Sequence, residues 1–293
     1  ITLTDPKVAQ VDAFDLMMHD LAAYNLYFRK FQSHYRVSRS LADIEIARNE
    51  GKLAIFYNIQ NSTPVEHDLS RVALLKSLGL TAMQLTYNDH NLSGSGCYAK
   101  SDNGLTPFGR QLAEQMAIDR MLVDLSHAGM KTMSDFIAAS PRPIIISHIA
   151  CKSLRDHPRN TTDENIRALA DRGGVIGMAQ MRTFMTDART NNLDVYFDHI
   201  QHAVNVGGVD HVGIGSDRDH RVIPETEAEI AILLKEEGAQ FKPSDWPMYL
   251  EKLNGPRRME VVREGLRKRK LPQSAIDKIL GMNVYRLYQN VVG

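Results

Sequence analysis

The 293-residue chain holds only two cysteines, Cys97 and Cys151. One disulfide is arithmetically open to them, but two cysteines in a chain of this size read as unpaired thiols, and they fix no compartment, cytoplasmic or periplasmic. Neither sign of charge is in excess: 35 Lys and Arg balance 35 Asp and Glu, for a formal net charge of zero. That balance argues against a dedicated nucleic-acid or anionic-membrane binder, which needs a clear basic surplus. No apolar run approaches the roughly 20 residues that cross a bilayer, so no membrane span is expected. No Gly-x-Gly-x-x-Gly turn follows an early strand, which removes the main signal of a dinucleotide-binding open sheet. The chain also has no initial methionine and no secretory leader pattern. It opens on Ile1-Thr2-Leu3-Thr4, which reads as the end of a strand, and a segment upstream of it is expected.

What is present is the composition of a globular protein, 43% hydrophobic and 24% charged, at a length that suits a single barrel domain over residues 1–293. Short apolar runs alternate with amphipathic stretches. Strands are expected at Leu53–Ile59, Ala82–Thr86, Met121–Leu125, Pro143–Ser147, Val175–Ala179 and His211–Gly215, with Ile1–Thr4 as a weaker seventh. Most are apolar at successive positions, as in strands buried on both faces of a parallel sheet. Helices are expected at Ser40–Asn49, at Leu69–Leu78 with Gly79 as its cap, and at Pro107–Asp119 and Lys131–Ala139. Two more fall at Thr162–Arg172 and Val195–Val206. Strand and helix alternating at this spacing mean parallel βαβ units. The fold class is therefore α/β, a (β/α)8 TIM-type barrel whose first strand would lie upstream of Ile1.

Two polar stretches break the rhythm after strands. Residues Asn88–Gly104 form a glycine-rich loop, and Arg218–Asp245 form an insertion with a helical core at Glu225–Glu237. Long βα loops on a barrel lie on the face where active sites are built. The basic cluster Arg267-Lys268-Arg269-Lys270 reads as a solvated helix end.

The residues that follow the strands carry the functional signal. Gln60, Tyr87, His127, His148 and Asp217 stand at equivalent positions, and each can bind a metal, donate a hydrogen bond or move a proton. Two histidines with carboxylates are the usual shell of a hydrolytic zinc centre, which keeps a position open for water. A strand-end carboxylate such as Asp217 would orient that water and take its proton. His157, His199 and His202 lie in or beside helices and are expected at the surface; His90 and His220 fall in the two long loops and are not assigned to the site.

A series of motifs recurs in order: Leu85-Thr86-Tyr87-Asn88, Gly104-Leu105-Thr106-Pro107-Phe108-Gly109, Val123-Asp124-Leu125-Ser126-His127, Ile146-Ser147-His148, His157-Pro158-Arg159-Asn160, His211-Val212-Gly213-Ile214-Gly215-Ser216-Asp217 and Gly281-Met282-Asn283. Together, from about residue 50 onward, they resemble the renal (membrane) dipeptidases, metallopeptidase family M19 of the amidohydrolase-like hydrolases. The resemblance implies a (β/α)8 barrel with two zinc ions that cleaves dipeptides bearing a free C-terminal carboxylate. It implies His127 and His148 as metal ligands, Asp217 as proton acceptor, Arg159 as the holder of the substrate carboxylate and Asn88 as a substrate contact. Family members often pair, so a homodimer is compatible with it.

Three departures from the family pattern bear on the chemistry. Gln60 stands where the family has a glutamate bridging both metals, and a neutral amide does not supply that charge. Tyr87 stands where the family has a histidine that polarises the scissile carbonyl; a phenol still donates to an oxyanion. The family's first-strand His-x-Asp pair would lie upstream of Ile1, and Met18-His19-Asp20 has the wrong spacing and a helical setting. One zinc ion rather than two, or none, is the expectation, in a divergent bacterial-type branch. Two functions follow, a zinc-dependent dipeptidase-like hydrolase, or a barrel with a degenerate metal site acting on a peptide-derived small molecule or assisting a biosynthetic or uptake pathway. A third, a phosphate-binding barrel using Gly207-Gly208 and Gly213-x-Gly215, is opposed by Asp217, which would repel the anion.

Overall fold

The computed structural model of the chain describes residues 2–3, 13–218, 222–237 and 242–293. His220, parts of the Arg218–Asp245 insertion and most of the first twelve residues lie outside the described residues. The chain packs as two compact units: residues 1–146, 171–174 and 284–293 make the first, and 147–170 with 175–283 the second.

In the first unit the order is β1 (Thr2–Leu3), α1 (Ala13–Lys30), β2 (Tyr35–Val37), α2 (Ala42–Asn49), β3 (Leu53–Ile55), β4 (Tyr57–Ile59), α3 (Ser70–Ser77), β5 (Leu80–Gln84), α4 (Pro107–Ile118), β6 (Leu122–Asp124) and α5 (Met130–Ala139). The apolar run expected as one strand over Leu53–Ile59 is two. It breaks at Phe56: β3 pairs with β2, whereas β4 lies between β1 and β5. All of these ladders are parallel, and Ala82–Gln84 pairs in turn with Leu122–Asp124 of β6. Every residue of β5 is buried, as expected for a strand covered on both faces. α3 ends at Gly79, whose φ of +108° is open to glycine at little cost. α4 starts with Thr106 accepting from the Gly109 N–H at 2.9 Å and with Pro107 at its first position.

In the second unit the order is the end of β7 (Ile145–Ile149), α6 (Asp163–Asp171), β8 (Val175–Met178), α7 (Arg182–Met185), α8 (Asp194–Gly207), β9 (Val212–Ile214), α9 (Glu227–Glu237), α10 (Arg258–Lys268) and α11 (Gln273–Asp277). β8 and β9 pair in parallel in a fixed register, Ile176 opposite Val212 and Met178 opposite Ile214. α10 carries the basic cluster at its C-terminus as expected; Arg269 there ion-pairs with Asp194 and Asp198 of α8 at 3.0 and 2.7 Å. The last helix, α12 (Asn283–Val291), returns to the first unit, where Tyr288 packs edge-on against Phe56 with ring centres 5.5 Å apart.

Candidate active site

Four expected site residues belong to the first unit. Gln60 directly follows β4 and is half-buried. Tyr87 and Asn88 lie just beyond β5, and His127 just beyond β6. The Tyr87 ring stacks on the His127 imidazole, 4.2 Å between centres and 26° between planes. Asn88 sets Oδ1 2.6 Å from His127 Nδ1, and the Cys97 thiol donates to the same oxygen at 3.6 Å. An amide oxygen only accepts, so the His127 nitrogen that faces it, Nδ1, carries a proton. The His127 backbone is left-handed, with φ +68°, and its carbonyl is held by the Cys97 N–H at 2.7 Å. Such a conformation costs a non-glycine residue on the order of 1 kcal/mol and persists where the surroundings impose it.

The long loop over 88–104 supplies those surroundings. Asn91 donates to Asn61 Oδ1 at 2.7 Å and to the Leu85 carbonyl at 2.9 Å. Asp102 accepts from the Lys131 and Thr132 N–H groups and from the Thr132 hydroxyl, capping the start of α5. A loop tied at these points is a fixed support for Tyr87, Asn88 and His127.

His148, Arg159 and Asp217 belong to the second unit, and there they stand together. The sequence places His148 after a strand; β7 in fact runs on to Ile149, so His148 lies inside it, with Nδ1 2.8 Å from Ser147 Oγ. The Asp217 carboxylate lies 3.8 Å from His148 Nε2 and 3.9 Å from Arg159 Nη2. Two glycines permit this approach. A Cβ on Gly177 or Gly215 would collide with the Ser147 carbonyl, so these strands draw together only because both positions lack a side chain.

Arg159 is 3% exposed, and among the described residues neither Nη1 nor Nη2 donates a hydrogen bond. Its guanidinium lies 4.9 Å from the Phe184 ring centre, and its backbone N–H donates to His157 Nδ1 at 3.2 Å. His157 is half-buried against Phe184, with ring centres 5.2 Å apart, and not at the open surface as expected. Burial, helped by the Arg155 and Arg159 cations, pushes its imidazole down to about 4, so at neutral pH it keeps the lone pair that Arg159 uses. Phe184 and the support role of His157 were not read from the sequence, although His157 stands in the same motif as Arg159.

Two other clusters are structural. His199, expected at the surface, is 2% exposed, and its Nδ1 accepts the Cys151 N–H at 3.0 Å; α8 turns that face inward. Ser153, Asp163 and His202 form a triangle with 2.8 Å edges, but a single imidazole nitrogen, Nε2, meets both partners. A nucleophilic relay needs the hydroxyl and the carboxylate on opposite ring nitrogens, so this group is a helix-start latch.

A pair of zinc ions needs a bridging carboxylate and three or more donors around each metal. Gln60 offers a neutral amide, and no three His, Cys, Asp or Glu side chains gather at metal-holding distance among the described residues. The donor set does not fit a two-metal centre.

Parallel strands joined by helices, with polar residues just past the strand ends in each unit, define an α/β fold. The chain belongs to the membrane dipeptidase family, peptidase family M19, whose family profile matches residues 3–228. It is 26% identical to the dipeptidase verJ of Clonostachys rogersoniana over 97% of this chain and 67% of that protein. With an uncharacterized dipeptidase of Schizosaccharomyces pombe it shares 33% identity over 61% of this chain, and it spans only 45% of that relative's length. Its structure resembles the crystal structure of an amidohydrolase from Pseudomonas aeruginosa with a TM-score of 0.84 at 29% identity, covering 96% of this chain and 86% of that one. No helix among the described residues is long and apolar enough to cross a membrane.

Proposed function

We propose that the protein hydrolyses dipeptides, or related small amides, that carry a free C-terminal carboxylate. The observation that carries this reading is Arg159: a buried guanidinium whose two terminal nitrogens have no hydrogen-bond acceptor among the described residues. Buried donors left unmade are costly, and a planar fork matches a carboxylate in two hydrogen bonds. Asp217, beside Arg159 and His148, accepts the proton of the attacking water. In the first unit Tyr87 is the hydrogen-bond donor suited to an oxyanion, and Asn88 fixes the tautomer of His127, which makes it a support more than a substrate contact. Relatives described as dipeptidases support the reaction class. With the purified chain and a panel of alanine-containing dipeptides, Asp217→Asn is expected to lower kcat by about a hundredfold or more; equal turnover by wild type and variant contradicts the assignment.

Zinc, where bound, is proposed at no more than one ion per chain, and weakly held. Elemental analysis of the purified protein reads this directly, and two tightly retained ions per chain would overturn it. Gln60 also favours the second reading, a divergent branch with little or no metal that acts on a peptide-derived small molecule. If Gln60→Glu raises neither zinc content nor hydrolysis, that reading is preferred over the zinc dipeptidase.

A further inference from the structure

Asp217 holds an unfavoured backbone conformation, φ +53°, immediately past β9. Aspartate tolerates the left-handed region better than most residues, but it is not held there without support. Among the described residues, the Tyr249 hydroxyl reaches its backbone from far along the chain, donating to the Asp217 carbonyl at 3.0 Å. Tyr249 is 5% exposed and packs with Ile223, Trp246 and Met181. Its ring lies under the Arg218 guanidinium at 4.6 Å, and Arg218 in turn donates to the Leu253 carbonyl and to Asn254 Oδ1, both at 2.9 Å.

The segment bearing Tyr249 is itself clamped. Arg182, 1% exposed, sends Nε to the Pro247 carbonyl and Nη2 to the Asp245 carbonyl, each at 2.7 Å. Its Nη1 reaches the Ala188 carbonyl at 3.1 Å, and its backbone N–H the Met248 carbonyl at 2.7 Å. The adjacent Met181 forms an antiparallel bridge with Tyr249. A buried arginine bound to carbonyls of two segments, with no carboxylate on its fork among the described residues, is a tie between those segments. All of this lies in the second unit, and Tyr249 falls beyond the residues matched by the family profile, 3–228.

We propose that Tyr249 is a positioning residue: held by the Arg182 clamp, it fixes the left-handed backbone of Asp217 and so aims the carboxylate between His148 and Arg159. The inference rests on the proposed role of Asp217 as proton acceptor. It separates two functions that Arg159 and Asp217 would otherwise share. Loss of the tyrosine hydroxyl disturbs the proton acceptor and leaves the carboxylate anchor in place, so it acts on kcat and spares KM.

The test compares Tyr249→Phe with wild type in dipeptide hydrolysis and in crystal structures. The variant keeps the ring and its packing under Arg218, and we expect kcat to fall on the order of tenfold with KM within about twofold. In the crystal we expect Asp217 to leave its left-handed conformation and its carboxylate to draw away from Arg159. Unchanged kcat, or a loss confined to KM, overturns the inference. A wild-type chain that turns over no dipeptide defeats the proposed function instead, and the crystallographic comparison then decides: an Asp217 carboxylate unmoved in Tyr249→Phe overturns the positioning role, and a displaced one supports it.

Discussion

Arg159 and His157 form a pair in which one side chain sets the protonation of the other. The imidazole of His157 is held near 4 by burial and by the two flanking arginines, below its ordinary value of 6.5. On acidification the unfolded chain therefore takes up this proton first, so the stability it contributes is complete above pH 6.5 and is lost as pH falls toward 4. The loss amounts to about 3 kcal/mol at most. Denaturation by urea at a series of pH values should show this slope in the wild type and a flatter one in His157→Asn. A wild-type curve with no fall in that window would mean that the ring is solvated in solution. At this scale the strand-end positions of His127 and Asp217 were readable, because each follows an apolar run that is a strand. The sequence was not readable for His199, whose inward direction depends on how α8 sits on its neighbours, or for Tyr249, which carries no motif and touches Asp217 only through the fold.

Among the strands, the most readable in the sequence are those whose neighbours on both sides are protein. β5 and β8 are buried at every position because helices and strands cover them, and their largely apolar runs stand out against polar loops. α1 was not read as a helix because its apolar residues circle the axis: Ala13, Met17, Leu21 and Phe28 are buried, but Leu16, Leu26 and Tyr27 point outward. The run over Leu53–Ile59 was read as one strand because hydrophobicity does not record which partner a strand pairs with. Glycines at strand ends hold more information than they first show. Gly215 sits where a Cβ would meet the Ser147 and Gly177 carbonyls, so Gly215→Ala is expected to destabilise the protein by about 3 kcal/mol or more through forced strand separation. Thermal melting checks this, and an alanine variant as stable as wild type would show that the strands part without cost.

Taken over the whole chain, the membrane dipeptidase family membership, the α/β fold and the grouping of His148 with Arg159 and Asp217 point to one reaction class. Gln60 is the exception, and it separates the question of metal from the question of substrate. The substrate side rests on a buried arginine with donors to spare, and recognition of that kind discriminates sharply against an analogue lacking the partner group. The most direct measurement is kcat/KM for a dipeptide and for its C-terminal amide, with wild type and with Arg159→Lys. We expect wild type to prefer the free acid by about a hundredfold or more, and the lysine variant to lose most of that preference, since an ammonium cannot reproduce the two-pronged contact. Equal turnover of acid and amide by the wild-type protein would contradict a carboxylate-anchored peptidase.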